Sequence, residues 1–136
     1  MAIDIAQLFY AQIEARDADS LAGLANQSAE FECMALGVGG PARQACVRYW
    51  RDMLAGFPDL SIELRKTWLD ELGTTAFVDA VVSGTQAEDV FRIRCAGRAF
   101  ASRQLHVFEV NGGGLLKRLT LFWDRMSWEL QLSARH

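Results

Sequence analysis

Several features that would assign this chain to a specialised class of protein are missing. It has only three cysteines and no C-x-x-C pair, which argues for reduced thiols and against a disulfide framework or a zinc site. No apolar run approaches the ~20 residues of a membrane-spanning helix. The N-terminus, Met1-Ala2-Ile3-Asp4, lacks the basic segment of a signal peptide. We therefore expect a cytoplasmic protein with no membrane contact.

Charge of one sign is also scarce. The formal net charge is −3, and acidic and basic residues are interleaved without a basic run. This pattern argues against a nucleic-acid-binding surface. The sequence contains no metal-ligand cluster, phosphate-binding loop or nucleotide fingerprint, so it predicts no metal and no organic cofactor.

Hydrophobic residues are plentiful, at 51% of 136 residues. A chain of this size and composition predicts one globular domain over residues 1–136. Apolar residues at helical spacing predict helices over Ala2–Arg16, Leu21–Asn26 and Ala42–Ala55. A period of two predicts a strand over Ala29–Leu36.

The second half of the chain is typical of strands. They are predicted at Leu60–Leu72, Thr74–Ser83, Ala99–Val110 and Leu115–Trp128. We expect a loop at Gly37–Pro41, a loose arm at Gly84–Gly97 and a hairpin turn at Asn111–Gly114, because Asn-Gly is a strong hairpin signal. Helices followed by a mostly antiparallel meander predict an α+β fold.

One face of the predicted strand Ala99–Val110 mixes aromatic and polar side chains. Ser102, Gln104 and His106 alternate onto the same face as Phe100 and Phe108. Convergent polar groups among apolar ones are typical of a small-molecule cavity. The alternative is an outer face whose polar groups lie in water.

Both faces of the last two predicted strands carry apolar residues. A sheet that is apolar on both sides must be covered on both sides, and three helices can cover only one. We therefore expect a homodimer through the outer face.

Short motifs spread over nearly the whole chain resemble one family. They are Phe57-Pro58-Asp59-Leu60, Gly97-Arg98, Phe122-Trp123-Asp124 and Gln131-Leu132. With the element order, they resemble the SnoaL-like polyketide cyclases, within the nuclear transport factor 2-like superfamily. The resemblance implies a cone-shaped α+β barrel with three N-terminal helices packed on a curved, mostly antiparallel sheet.

The ketosteroid isomerase branch of that superfamily offers a contrast. An ungapped match puts its oxyanion-holding Tyr on Phe9, beside Tyr10, and its general-base Asp on Cys33, beside Glu32. Its second acid falls on His106. Phe9 cannot donate a hydrogen bond, and a thiol in an apolar site has a raised pKa. Steroid isomerisation by that route is therefore not expected.

The cyclase resemblance implies a chemistry for two residues. Asp124 matches the carboxylate thought to move a proton in an intramolecular aldol closure, and His106 is predicted to assist at the enolate oxygen. Glu32 is the next candidate base. Gln86 stands where the cyclases often have His.

Whether Asp124 and His106 share a face depends on the hairpin register. They do so if even positions pair with even ones, for example Val110 opposite Leu116. A shift by one residue puts Trp123 beside His106 and turns Asp124 away.

The sequence thus predicts a pocket for a small, flat, hydrophobic molecule, and two function classes. One is a cofactor-free cyclase or isomerase acting on a polyketide-like ketone. The other is a non-catalytic ligand-binding or protein-interaction module. The residues predicted to contact the ligand are Phe9, Phe31, Cys33, Trp50, Phe100, Gln104, Phe108 and Phe122.

Overall fold

The structure is a computed structural model that describes residues 1–133. Its helices are α1 (Ala2–Glu14), a 3₁₀ helix (Asp19–Leu24), α2 (Ala42–Gly56) and α3 (Arg125–Leu132). Its strands are β1 (Ala25–Cys33), β2 (Val38–Pro41), β3 (Ser61–Leu69), β4 (Thr75–Thr85), β5 (Ala99–Val110) and β6 (Leu116–Phe122).

The six strands form one curved sheet in the order β2-β1-β6-β5-β4-β3. All neighbouring pairs are antiparallel except β1 and β6, which run parallel. The helices pack against the concave face, so the core lies between them and the inner face of the sheet. The α+β class predicted from the sequence is confirmed.

Alternation along β5 decides which side chains reach the core. Its even-numbered residues from Phe100 to Val110 are all buried, whereas Ala99, Ala101 and Arg103 are exposed. The buried set includes Ser102, Gln104 and His106, so the polar side chains lie on the inner face. The alternative of a polar face in water is wrong.

Helix α1 covers this inner face through residues at helical spacing. Ile5, Phe9 and Ile13 are each at most 5% exposed, and Tyr10 is 9% exposed. Helix α2 contributes Trp50, which has no exposed surface. Both elements have the bounds that the apolar spacing predicts, to within two residues at their C-terminal ends.

Three parts of the predicted fold are wrong. Residues 38–41, predicted as a loop, form the edge strand β2, since their backbone pairs with β1 although glycine has low strand propensity. The last strand ends at Phe122 rather than at Trp128, and a helix the sequence analysis did not predict follows it. The 3₁₀ helix replaces the predicted second helix and begins two residues earlier.

Candidate functional site

A chain of hydrogen bonds crosses the buried interior. The Tyr10 hydroxyl lies 2.7 Å from His106 Nδ1, and His106 Nε2 lies 2.8 Å from Gln104 Oε1. Gln104 Nε2 donates in turn to the Ser102 hydroxyl at 3.3 Å. Helix α1 supplies the tyrosine and β5 supplies the other three side chains.

The Gln104 amide sets the direction of this chain. Its Oε1 can only accept, so His106 Nε2 carries the proton and Nδ1 accepts from the Tyr10 hydroxyl. Each donor therefore has one acceptor along the chain. Both ring nitrogens of His106 are occupied by protein partners.

Burial keeps these groups uncharged. His106 has no exposed surface, and desolvation lowers its pKa to about 3. Desolvation likewise raises the pKa of Tyr10 well above its usual value. At neutral pH the pair is a neutral imidazole and a neutral phenol, suited to hydrogen bonding rather than to carrying charge.

Aromatic side chains surround His106. Tyr10 stacks on it with ring centroids 5.9 Å apart, and Trp50 meets it edge to face at 6.2 Å. Phe9 contacts Tyr10, Trp50 and Phe108 at 5.1–5.4 Å. The polar chain therefore lies in surroundings of low polarity, in which hydrogen bonds are strengthened.

One donor beside His106 has no partner. The indole Nε1 of Trp50 is buried and makes no hydrogen bond among the described residues. Buried polar groups are nearly always paired, and leaving one unpaired costs about 1–3 kcal/mol. The described residues therefore leave this indole donor unsatisfied.

Most residues predicted to contact a ligand lie in this interior. Their exposed fractions are at most 4%; they are Phe9, Phe31, Cys33, Trp50, Phe100, Gln104 and Phe108. Phe122 is an exception, because it is 39% exposed and pairs with Leu105 on the outer face. Phe122 therefore lies outside the buried interior, and its contact with a ligand stays a prediction.

Asp124 lies at the surface, where it caps α3. Its carboxylate accepts a hydrogen bond of 3.0 Å from the backbone N–H of Met126, as Asp commonly does at a helix start. Together with Gln104, it lines a shallow groove of about 480 Å³. The structure thus brings Asp124 to a groove that Gln104 also lines, but does not bring it beside His106.

A bulge explains this separation. Val110 does pair with Leu116, but the register shifts between Glu109 and Val110. His106 then pairs with Leu121 rather than with an even-numbered residue. A single extra residue reverses which face of β6 looks inward. The shared-face arrangement expected for even-numbered pairing therefore does not form.

A second polar cluster lies on the same inner surface. Trp123 Nε1 donates to the Tyr49 hydroxyl at 3.1 Å, and the thiol of Cys33 lies against both groups. Burial raises the pKa of Cys33, so it is a protonated thiol and a poor nucleophile. Glu32 points to the outer face, where it lies 3.6 Å from Arg118.

Sequence reasoning did not identify Tyr10 or Tyr49 as site residues. In the ungapped match to the ketosteroid isomerases, the oxyanion-holding Tyr falls on Phe9, and Tyr10 is only its neighbour. Its helical spacing from Ala6 and Ile13 was the available signal, since that spacing puts Tyr10 on the buried side of α1.

Among residues 1–133, no group of three or more His, Cys, Asp or Glu side chains lies close enough together to hold a metal ion. Within the same range, no helix has the length and apolar character needed to cross a membrane.

Comparison with known proteins gives a consistent result. Residues 6–118 match the family model of the SnoaL-like domain. A candidate SnoaL-like polyketide cyclase from Jannaschia sp. CCS1 is 12% identical and superposes with a TM-score of 0.86 over 99% of this chain and 93% of that one. No curated protein matches by sequence.

Two further solved structures share the fold. A candidate polyketide cyclase from Streptomyces antibioticus is 18% identical, with a TM-score of 0.79 over 96% of this chain and 97% of that one. A Catenulispora acidiphila protein with a ketosteroid isomerase-like fold is 14% identical, with a TM-score of 0.78 over 97% and 94%.

Proposed function

Because this chain belongs to the SnoaL-like domain family, we propose that its interior binds a small, flat, hydrophobic molecule that carries a ketone. One observation carries the proposal. The Trp50 Nε1–H is buried and has no hydrogen-bond partner among residues 1–133. The Trp50 ring lies in an aromatic interior, with its centroid 6.2 Å from that of His106. A carbonyl oxygen there would satisfy this donor, and the rest of the ligand would replace contacts between aromatic rings.

A matched pair of ligands tests this. 2-Tetralone and tetralin differ by the carbonyl group, so calorimetry on both isolates the hydrogen bond. We expect the ketone to bind about 5–10-fold more tightly. Trp50→Phe should remove that preference, and Trp68→Phe, which changes an exposed tryptophan, should keep it. Equal binding of the two compounds by the native chain would overturn the proposed contact.

We further propose that the chain acts on the ketone by acid/base chemistry without a cofactor, as a cyclase or isomerase. Asp124 is the proposed base, and its groove also reaches Gln104. His106 would act through Gln104, as a positioning residue. Glu32 is the less favoured base because it lies on the outer face beside Arg118.

A second candidate function is non-catalytic ligand binding. It is favoured by the state of His106, whose two nitrogens are taken by Tyr10 and Gln104. Its pKa of about 3 also keeps it a neutral imidazole at neutral pH, so it is not the imidazolium that a general acid would require. Turnover of a bound ketone by the native chain, and its loss in Asp124→Asn, would decide for the enzyme.

We also propose that two copies associate through the outer face of the sheet. Trp68, Phe77 and Phe122 are each 37–44% exposed there. Trp68 pairs with Phe77 across β3 and β4, and Leu105 pairs with Phe122 across β5 and β6. Exposed aromatic side chains grouped on one sheet face are typical of an interface, and the Asp79–Arg103 ion pair lies beside them.

A further inference from the structure

The arm between β4 and β5, residues 86–98, contains a turn whose backbone conformation is rare for residues other than glycine. Val90 and Ile93 exchange two backbone hydrogen bonds, of 3.2 and 2.8 Å, around Phe91 and Arg92. Both central residues have positive φ angles, 49° and 64°. Such a turn normally holds Asn-Gly, and each non-glycine residue in it costs about 1–2 kcal/mol.

The strained turn places its two central side chains in different surroundings. Phe91 is half-buried and stacks on Tyr49 at 5.1 Å, with Trp128 at 6.4 Å. Arg92 is exposed and lines a groove of about 610 Å³ between the arm and α3. Strain of this kind concentrates at functional sites.

Helix α3, on the opposite side of the groove, likewise has one residue that is buried and a neighbour that lines the groove. Trp128 is fully buried, and with Phe91 it forms an aromatic wall of the interior. Its neighbour Glu129 lines the groove. The indole Nε1 of Trp128 is a second buried donor without a partner among residues 1–133. The groove therefore lies directly behind the aromatic wall of the interior.

Among residues 1–133, those that line the groove carry an excess of positive charge. Arg92 and Arg94 both line it, and neither forms an ion pair with a described residue. Among the described lining residues the one carboxylate is that of Glu129, which lies 2.9 Å from Arg125. Asp89 on the same arm accepts a hydrogen bond from the Cys95 backbone, which keeps it at the base of the arm.

We propose that this groove binds the carboxylate of a hydrophobic acid whose ring system enters the interior. Arginine is suited to this group, because its planar guanidinium matches a carboxylate with two hydrogen bonds. The proposal rests on the proposed ligand-binding interior and defines its ligand further, as a ring-containing keto acid. The acid would enter by displacing Phe91, whose strained backbone makes that movement less costly.

Matched acids and amides separate the two proposals. We would measure calorimetric affinities of 1-naphthylacetic acid and 1-naphthylacetamide near neutral pH. The amide tests the interior, and the ratio of the two tests the groove. We expect the acid to bind about 10-fold more tightly, and the ratio to approach one at about 1 M salt, where the Debye length falls to about 3 Å.

A charge-matched control locates the effect. The Arg92→Gln/Arg94→Gln double variant should lose the preference for the acid while still binding the amide. Arg48→Gln/Lys117→Gln removes the same charge from exposed positions on α2 and β6 and should retain the preference. Amide binding with no preference for the acid, or a preference that survives the groove variant, would overturn the carboxylate site alone.

Two other outcomes are equally informative. Binding of neither compound would overturn both the interior and the groove. Tighter binding of 1-naphthyl phosphate than of the acid, lost in the same groove variant, would overturn the carboxylate assignment in favour of a phosphate. Circular dichroism melts of all variants establish that each is folded.

Discussion

The burial of His106 makes the stability of the fold depend on pH. This residue is fully buried, and its pKa of about 3 in the folded state lies well below the value of about 6.5 expected when unfolded. As the pH falls below about 6.5, His106 binds a proton in the unfolded chain but stays neutral in the folded chain. Stability is therefore lost on acidification.

We predict that the free energy of unfolding falls by about 2 kcal/mol between about pH 7 and pH 5. Urea unfolding at several pH values measures it, in a His136→Gln background so that His106 is the remaining histidine. His106→Gln should flatten this slope. Equal slopes with and without His106 would show that its burial is not the cause.

Asp124 has an observed role as a helix cap and a proposed role as a base, and substitution can separate the two. As the N-cap of α3 it stabilises the helix, and Asp124→Ala should cost about 1 kcal/mol in thermal unfolding. Asp124→Asn keeps a capping oxygen and should leave stability nearly unchanged.

If Asp124 also moves the proton, Asp124→Asn should lower turnover of an identified ketone about 10²–10⁴-fold while leaving its affinity intact. Full turnover in this variant would remove Asp124 as the base and leave Glu32 to be tested.

At the scale of elements, the arm turn allows backbone strain to be measured apart from packing. Phe91→Gly and Phe91→Ala both remove the ring that stacks on Tyr49. Only alanine keeps the strain of a positive φ, so the glycine variant should be about 1 kcal/mol more stable.

This order reverses the usual effect, in which alanine stabilises a loop relative to glycine. Ala96 has no positive φ and serves as the matched control. Ala96→Gly should show the usual order, in which the native alanine is more stable than glycine. If alanine is the more stable residue at position 91 as well, the turn is not strained.

The elements that the sequence predicted well are those whose own side chains determine them. Strand β5 has its predicted bounds because alternating burial extends along its whole length. Strand β2 depends on pairing with β1, and helix α3 depends on the cap at Asp124, so neither has a strong pattern of its own. The bulge beside Val110 follows from a glycine-rich turn that permits several registers.

The same reasoning applies to the site. Alternation along β5 placed Gln104 and His106 inside, and helical spacing placed Phe9 and Trp50. The partner of His106 could not be predicted, because Tyr10 lies 96 positions away and meets it only through the packing of α1 on the sheet.

At the scale of the whole molecule, the exposed aromatic side chains on the outer face of the sheet predict a homodimer. Phe77 lies in the middle of the exposed apolar area, between Trp68 and Val107. Phe77→Glu should convert a dimer to a monomer in sedimentation velocity, because two buried like charges would face each other. Leu72→Glu, at an 80% exposed turn position off the sheet, should have no effect. A native chain that sediments as a monomer at high micromolar concentration would contradict the dimer.

We propose that the hydrophobic ketone binds in the buried interior, in contact with Trp50, His106 and Gln104. An NMR titration with 2-tetralone tests it within one strand, because alternate residues of β5 face opposite sides. We predict that the His106 ring and the Gln104 side-chain amide shift on binding, while the methyl groups of Leu105 and Val107 do not. Shifts confined to Leu105 and Val107, or no shifts at saturating ketone, would contradict a ligand-binding interior.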